Sequence, residues 1–285
     1  MLDAQKLADA NATYRPYFQE SLAGQSRTLE LAQMVESTGA EEEYHFTDEL
    51  GLPVEFTGSG EMQELKAEAF HIKNKDWSNI VRVHKNEIQD DKTNIVLPRL
   101  DNAATTYPRH MRKILIELLL NGFTLNGYDG VPFIGATHPT KDGTQSNYTN
   151  LALDPTNFDL AVKAFLGRTD FHGEILDVSP THLTVGPALR SAAQAIVKAS
   201  LTTNGGTNTN FGYVELRVEP RITGNQWFLT DESREIKPFI LQERQAPQVG
   251  DLKQLKAGSP WYVIETDARY NVGFGLWHLI QGCQP

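Results

Sequence analysis

Cysteine is almost missing from this chain: its 285 residues include one, Cys283, near the end. An internal disulfide is therefore excluded, and the chain suits a reducing compartment such as a cytoplasm. Long apolar runs are missing too. None approaches the roughly 20 residues that cross a bilayer, and the opening residues Met1 to Lys6 lack the apolar core of a signal peptide. Basic residues are outnumbered, with 26 Lys and Arg against 36 Asp and Glu and a formal net charge of −10. That balance argues against gripping nucleic acid through a broad basic surface, because such affinity comes from neutralising phosphates. Internal repeats, low-complexity tracts and Ser/Gly linkers are also absent, so any subdomains are interleaved rather than strung as beads.

What is present is an ordinary globular balance, with 40% hydrophobic and 22% charged residues, enough for one large core or two connected ones. Residues 1 to about 40 are polar, with a short apolar stripe over Thr28 to Val35 that predicts a marginal helix in an extended arm. From Tyr44 to Asp91 the text alternates like strands, as at Val81 and Val83 against Arg82 and His84, around a polar tip at Gly58 to Glu64. Thr105 and Thr106 as caps, Pro108 in the first turn and Asn121-Gly122 as the stop predict a leucine-rich helix over 106–121. A long Gly- and Asn-rich connection follows at 124–154, of a size that usually touches something. Helices are predicted over Pro155 to Leu166 and Pro187 to Ser200, with a strand at His182 to Val185 between them. The last third reads as strands at Val214 to Val218, Trp227 to Leu229, Phe239 to Gln242, Trp261 to Thr266 and Asn271 to Ile280. The class is α+β.

Catalytic chemistry finds no foothold. The eight histidines never pair at metal-ligand spacing, so neither a metal nor a cofactor is expected. The glycines of Thr203 to Gly212 lack a Gly-Lys-Ser/Thr ending, and Gly58-Ser59-Gly60 is not a nucleophile elbow. Cys283 has no activating histidine nearby in sequence. Asp90-Asp91 and Glu41-Glu42-Glu43 read as solvated charge rather than paired catalytic acids, since no oxyanion donor accompanies them. The sequons at Asn11 and Asn147 are chance matches outside a secretory pathway.

The distinctive text lies elsewhere. Gly122-Phe123, then Tyr128-Asp129-Gly130-Val131-Pro132-Phe133, His138-Pro139 and Ser146-Asn147 follow the leucine-rich helix. Upstream stands Ile72-Lys73-Asn74-Lys75-Asp76-Trp77 with Glu87 to Asp91, and downstream Ser179 to Pro187 and Ala268 to Gly273. In order and spacing this resembles the Mu-like major head subunit family of phages, over roughly residues 30 to 280. One departure is Val54-Glu55-Phe56-Thr57-Gly58, where the family more often carries Met-Arg-x-Trp.

The resemblance implies a Hong Kong 97-type capsid fold. Its parts would be an N-terminal arm at 1–42, an E-loop hairpin with flanking strands at 43–90, and a peripheral domain at 91–154 with its spine helix at 106–121. A mainly axial domain at 155–240 and C-terminal strands at 241–285 returning to the peripheral domain would complete it. It also implies a non-enzymatic, self-assembling shell of hexamers and pentamers, formed in the host cytoplasm around DNA held without specific contact. Scaffold, portal and decoration proteins are the expected partners, and no membrane is involved. A nanocompartment shell of the same fold, or a tail or decoration protein, is the rival reading. Contacts between subunits are expected at Glu55, Phe56, Glu61, Met62 and Leu65 in the hairpin. Tyr128, Asp129, His138 and Asn147 in the long loop, and Asn204 and Asn208 in the glycine-rich loop, are expected to join them. Lys66 is not expected to form a covalent crosslink.

Overall fold

The computed structural model describes residues 4–24, 30–47, 67–90, 93–141, 143–202 and 205–285. In chain order the first half carries α1 (Ala4–Ala23), β1 (Ala32–Glu36), β2 (Glu41–Thr47), β3 (Ala67–Lys73), β4 (Lys75–His84), α2 (Lys85–Gln89), α3 (Thr93–Asn121), β5 (His138–Thr140), β6 (Gly143–Gln145) and β7 (Tyr148–Thr149). The second half carries α4 (Pro155–Leu166), β8 (His182–Val185), α5 (Arg190–Val197), β9 (Glu215–Val218), β10 (Trp227–Thr230), β11 (Phe239–Val249), β12 (Lys253–Gln254), β13 (Trp261–Phe274) and β14 (Ile280–Cys283).

Two sheets organise two cores. In the first, the order is β1-β11-β13-β12, with β4 on the other edge of β13. β13 alternates strictly, burying Tyr262, Ile264, Thr266, Ala268 and Tyr270 toward α3, the period-2 pattern of a sheet with one covered face. It is one strand of 14 residues rather than the two expected. Polar Asp267 and Arg269 interrupt its apolar text but sit on the other face, opposite Ser78 and Asp76 of β4. The second sheet runs β7-β14-β10-β8-β9 and encloses a core of Phe158, Phe165, Leu183, Val185, Ile196, Val197 and Trp227 with α4 and α5. The predicted strand over Asn271 to Ile280 therefore breaks. Gly275 donates its N–H to Pro238 O, and the chain leaves the first sheet there and closes the second with Ile280–Cys283.

Helix α3 starts 13 residues before the expected Thr106 and runs 29 residues with Pro98 and Pro108 inside it. Each internal proline removes a backbone hydrogen bond and costs about 3 kcal/mol in isolation. Val96, Leu100, Ala103, Tyr107, Met111, Leu115 and Leu119, all buried, form a stripe at steps of three and four that runs past both prolines, and that packing outweighs the missing bonds. Thr105 and Thr106 do not cap. Their hydroxyls donate back to Asn102 O (2.9 Å) and Ala103 O (2.6 Å) within the helix.

The N-terminal segment also departs from expectation. The helix lies at Ala4–Ala23 and packs on α3 through Tyr14, Phe18 and Leu22, spaced by four, while Ala32–Glu36 is a strand parallel to β11. Burying those three side chains contributes roughly 1.5–3 kcal/mol each, which holds a helix too polar to stand alone. Pro155 in the first turn, the Asp154 cap on Asn157 N (2.9 Å) and Gly167 at the end place α4 where the sequence reading puts it. β2 and β3 pair antiparallel from Glu41↔Lys73 to Thr47↔Ala67, so they form the two arms of a hairpin. The expected tip, with Glu55, Phe56, Glu61, Met62, Leu65 and Lys66, lies outside the described residues, as does Asn204.

Candidate functional site

The loop after α3 folds inward around one histidine. Gly130, with φ of 78°, takes a left-handed turn that an L side chain would resist, and Asp129 beside it faces His138 Nδ1 at 2.5 Å. His138 Nε2 lies 3.1 Å from Asn147 Oδ1, and its ring stacks on Trp277 at 3.9 Å with planes 10° apart. The Asn147 amide is fixed by its surroundings. Its Oδ1 accepts from Gly135 N (2.7 Å), and its Nδ2 donates to Phe133 O (2.8 Å) and Trp277 O (3.2 Å). Both nitrogens of His138 thus face oxygens, the Asp129 carboxylate on one side and the Asn147 amide on the other. His138 and Asn147 are fully buried. Of the loop residues expected to touch a neighbour, the structure brings Asp129, His138 and Asn147 together inside the chain, and Tyr128 packs against the same core.

A second polar group continues through Trp277. His278 stacks on it at 3.6 Å, and Arg168, 2% exposed, donates to Trp277 O, to His278 O and to Gln281 Oε1. The guanidinium also sits 4.4 Å over the Phe165 ring. Burial pushes Arg168 down to about 9, so it remains charged at neutral pH. The His278 imidazole is driven down to about 3, first by burial and then by the charges of Arg168 and His138. Cys283 accepts from the Thr149 hydroxyl (3.1 Å), and burial raises its thiol to about 12. A thiol held protonated is a poor nucleophile. These groups tie β7, the end of α4 and β14 together.

Two further polar clusters span the cores. Glu219, at the end of β9, is fully buried and receives Arg112 Nε of α3 (2.7 Å) and Arg221 (3.1 Å). Near the start of β1, Glu30 approaches His182 of β8 (3.5 Å) and Arg217 of β9 (3.8 Å), and Arg217 forks onto Glu232 at 2.6 and 2.8 Å. Glu30, His182 and Glu232 are close enough together to hold a cation. The guanidinium already on Glu232 makes the group an ion-pair network instead. No sequence signal marked these residues: Arg112 and Glu219 stand 107 positions apart.

Asn208 braces its own loop, its Nδ2 donating to Ile196 O and Ala199 O (both 2.7 Å) at the end of α5. Leu160, Ile175, Leu201, Phe211 and Tyr213, in the part of the chain built on the second sheet, are exposed.

The model for the Mu-like prophage major head subunit gpT matches residues 7–152, 148–222 and 219–285. The chain belongs to that family. It is 24% identical over 277 residues to the Mu-like prophage FluMu major head subunit of Haemophilus influenzae, spanning 93% of this chain and 70% of the relative. To the major capsid protein of Escherichia phage Mu it is 26% identical over 272 residues, with 94% and 70% spanned. Among solved structures, the procapsid of bacteriophage JBD30 superposes with a TM-score of 0.64 at 20% identity, over all of this chain and 76% of that one. The α+β architecture of this head subunit is the Hong Kong 97-type capsid fold.

Proposed function

We propose that this head subunit builds a closed icosahedral shell of hexamers and pentamers that encloses double-stranded DNA in the virion, and that it works by association rather than catalysis. The observation that carries this reading is the family match along nearly the whole chain. It is supported by the apolar residues left exposed in the part built on the second sheet. Heterologous contacts repeated about an axis close into rings, and reaching segments then tie rings together.

In this reading residues 1–42 form the arm, 43–90 the E-loop, 91–154 and 241–285 the peripheral part and 155–240 the axial part. The hairpin residues Glu55, Phe56, Glu61, Met62 and Leu65 lie on a neighbouring subunit, and Thr203 to Phe211, with Asn204 and Asn208, face the capsomer axis. Tyr128 meets the adjacent subunit at the rim of its loop. Scaffold, portal and decoration proteins complete the head in the host cytoplasm, and DNA is held without specific contact. Electron microscopy of the purified chain is the test. Regular shells or capsomer rings are the expected result, and a monodisperse monomer under all assembly conditions would overturn it.

A further inference from the structure

Two crossings carry the chain from the first sheet into the β2–β3 hairpin and back: the turn at 37–40 between β1 and β2, and the single residue Asn74 between β3 and β4. Crossings this short are where a hairpin would pivot, yet both are closed by one buried polar network. Asn74 donates through Nδ2 to Gly39 O (2.9 Å) and Ser37 Oγ (2.7 Å), and through its main-chain N–H to Ala40 O (3.0 Å). Gln242 of β11, fully buried, donates through Nε2 to Ile72 O (3.1 Å) and Asn74 Oδ1 (2.8 Å). The main chain fixes both amide orientations. Gly39 O and Ile72 O can only accept, so an amide nitrogen must face each of them. Asn74 therefore turns its oxygen to Gln242, and Gln242 turns its own to Tyr44 of β2, whose hydroxyl donates to it at 2.9 Å. Every amide hydrogen of the pair is used, and each amide oxygen accepts.

The seat beneath the hairpin is shaped as well as bonded. Gln242 stands opposite Asn271 of β13, which donates to Lys73 O (2.8 Å). Two residues on, Gly273 leaves the space that the buried Ile72 fills: a Cβ there would lie 2.2 Å from Ile72 Cδ1 and 2.6 Å from its Cγ1. At the other crossing Ser37 Oγ donates to the Glu42 carboxylate (2.8 Å), which also accepts from Thr38 N and Gly39 N (both 2.7 Å). A buried polar group left unpaired is penalised beyond the bond it loses. Tilting the hairpin about Asn74 would strand several such groups at once.

We propose that Gln242 and Asn74 are positioning residues for assembly, locking the base of the hairpin to the first sheet so that the reaching segment leaves every subunit at one angle. Its use in a shell rests on the reading of 43–90 as the E-loop, whereas the lock itself belongs to the single chain.

Distances between spin labels in the full-length, unassembled chain test it. One pair joins Glu43→Cys of the hairpin to Glu265→Cys of β13, both exposed positions, and a control pair joins Glu265→Cys to Lys113→Cys of α3, away from the hairpin. Cys283 is buried with its thiol held protonated and stays unlabelled. Both pairs should give one narrow distance peak in the otherwise wild-type chain. Q242M, similar in length but without the amide, should broaden the hairpin peak and leave the control narrow, each neutral hydrogen bond lost lowering the seated population about fivefold. G273A keeps every bonding group and should shift the hairpin peak by pressing on Ile72, so it decides the matter where Q242M does not fold. A broad hairpin peak in the wild-type background, an unchanged one in folded Q242M, or an unmoved one in G273A where Q242M does not fold, overturns the lock. Failure of the shell reading would show instead as a monomer by electron microscopy with these distances intact.

Discussion

At the scale of single residues, burial of His278 has a direct consequence for acid stability. Its folded value of about 3 lies below that of an ordinary histidine, so below about pH 6.5 the unfolded chain takes up a proton that the folded chain refuses. Stability contributed by the neutral ring is therefore complete above that pH and declines as pH falls toward 3. His278 keeps part of its surface in water, so solvent screening reduces the slope to about 1 kcal/mol per pH unit at most. Urea unfolding between about pH 6.5 and 5, above the main carboxylate range, should show wild type losing stability faster than His278→Gln. Parallel lines for the two proteins would remove His278 from the account. His138 illustrates what a sequence can and cannot disclose. The Asp-Gly, His-Pro and Ser-Asn text marks the loop as special, yet its inward turn depends on Trp277, which the sequence places 139 positions later.

At the scale of elements, α1 makes the clearest demand. Phe18 is fully buried against the first core, and Phe18→Ala should cost about 3–5 kcal/mol by transfer and cavity terms together, read as a lower midpoint of denaturant unfolding. An effect under about 1 kcal/mol would mean that α1 detaches in solution and its burial is dispensable. The same helix shows why parts of the fold were illegible. Its apolar residues are sparse, and only a partner surface reveals which of them matter, so the weak stripe at Thr28 to Val35 drew attention that belonged to Tyr14, Phe18 and Leu22. Where local chemistry decides, reading succeeds: Asp154, Pro155 and Gly167 bound α4 without outside help. Where packing overrides it, reading fails, as at Pro98 and Pro108, whose usual meaning as helix boundaries yields to the buried stripe of α3.

At the scale of the whole molecule, the angle between the two bodies must be reproducible, because an error repeated around a ring prevents closure. Arg112 on Glu219 ties α3 to the end of β9, one partner 40% exposed and the other fully buried. Removing the arginine strands a buried carboxylate with Arg221 alone, the situation in which a lost partner costs several kcal/mol. Because Arg112 is partly solvated, Arg112→Ala should cost about 2–3 kcal/mol. Arg112→Met with Glu219→Gln, which leaves no buried carboxylate and parts only the half-exposed Arg221 from its partner charge, should recover about half of that. Assembly should report the geometry separately from the stability. At a temperature where both variants are folded, Arg112→Ala should yield open or irregular particles by electron microscopy, because among the described residues Glu219 then keeps only Arg221, of its own loop, as a charge partner. The paired variant, stable but without a charged pin, distinguishes the two roles: irregular particles from it as well would show that the ion pair sets the angle, and regular shells would show that packing alone does.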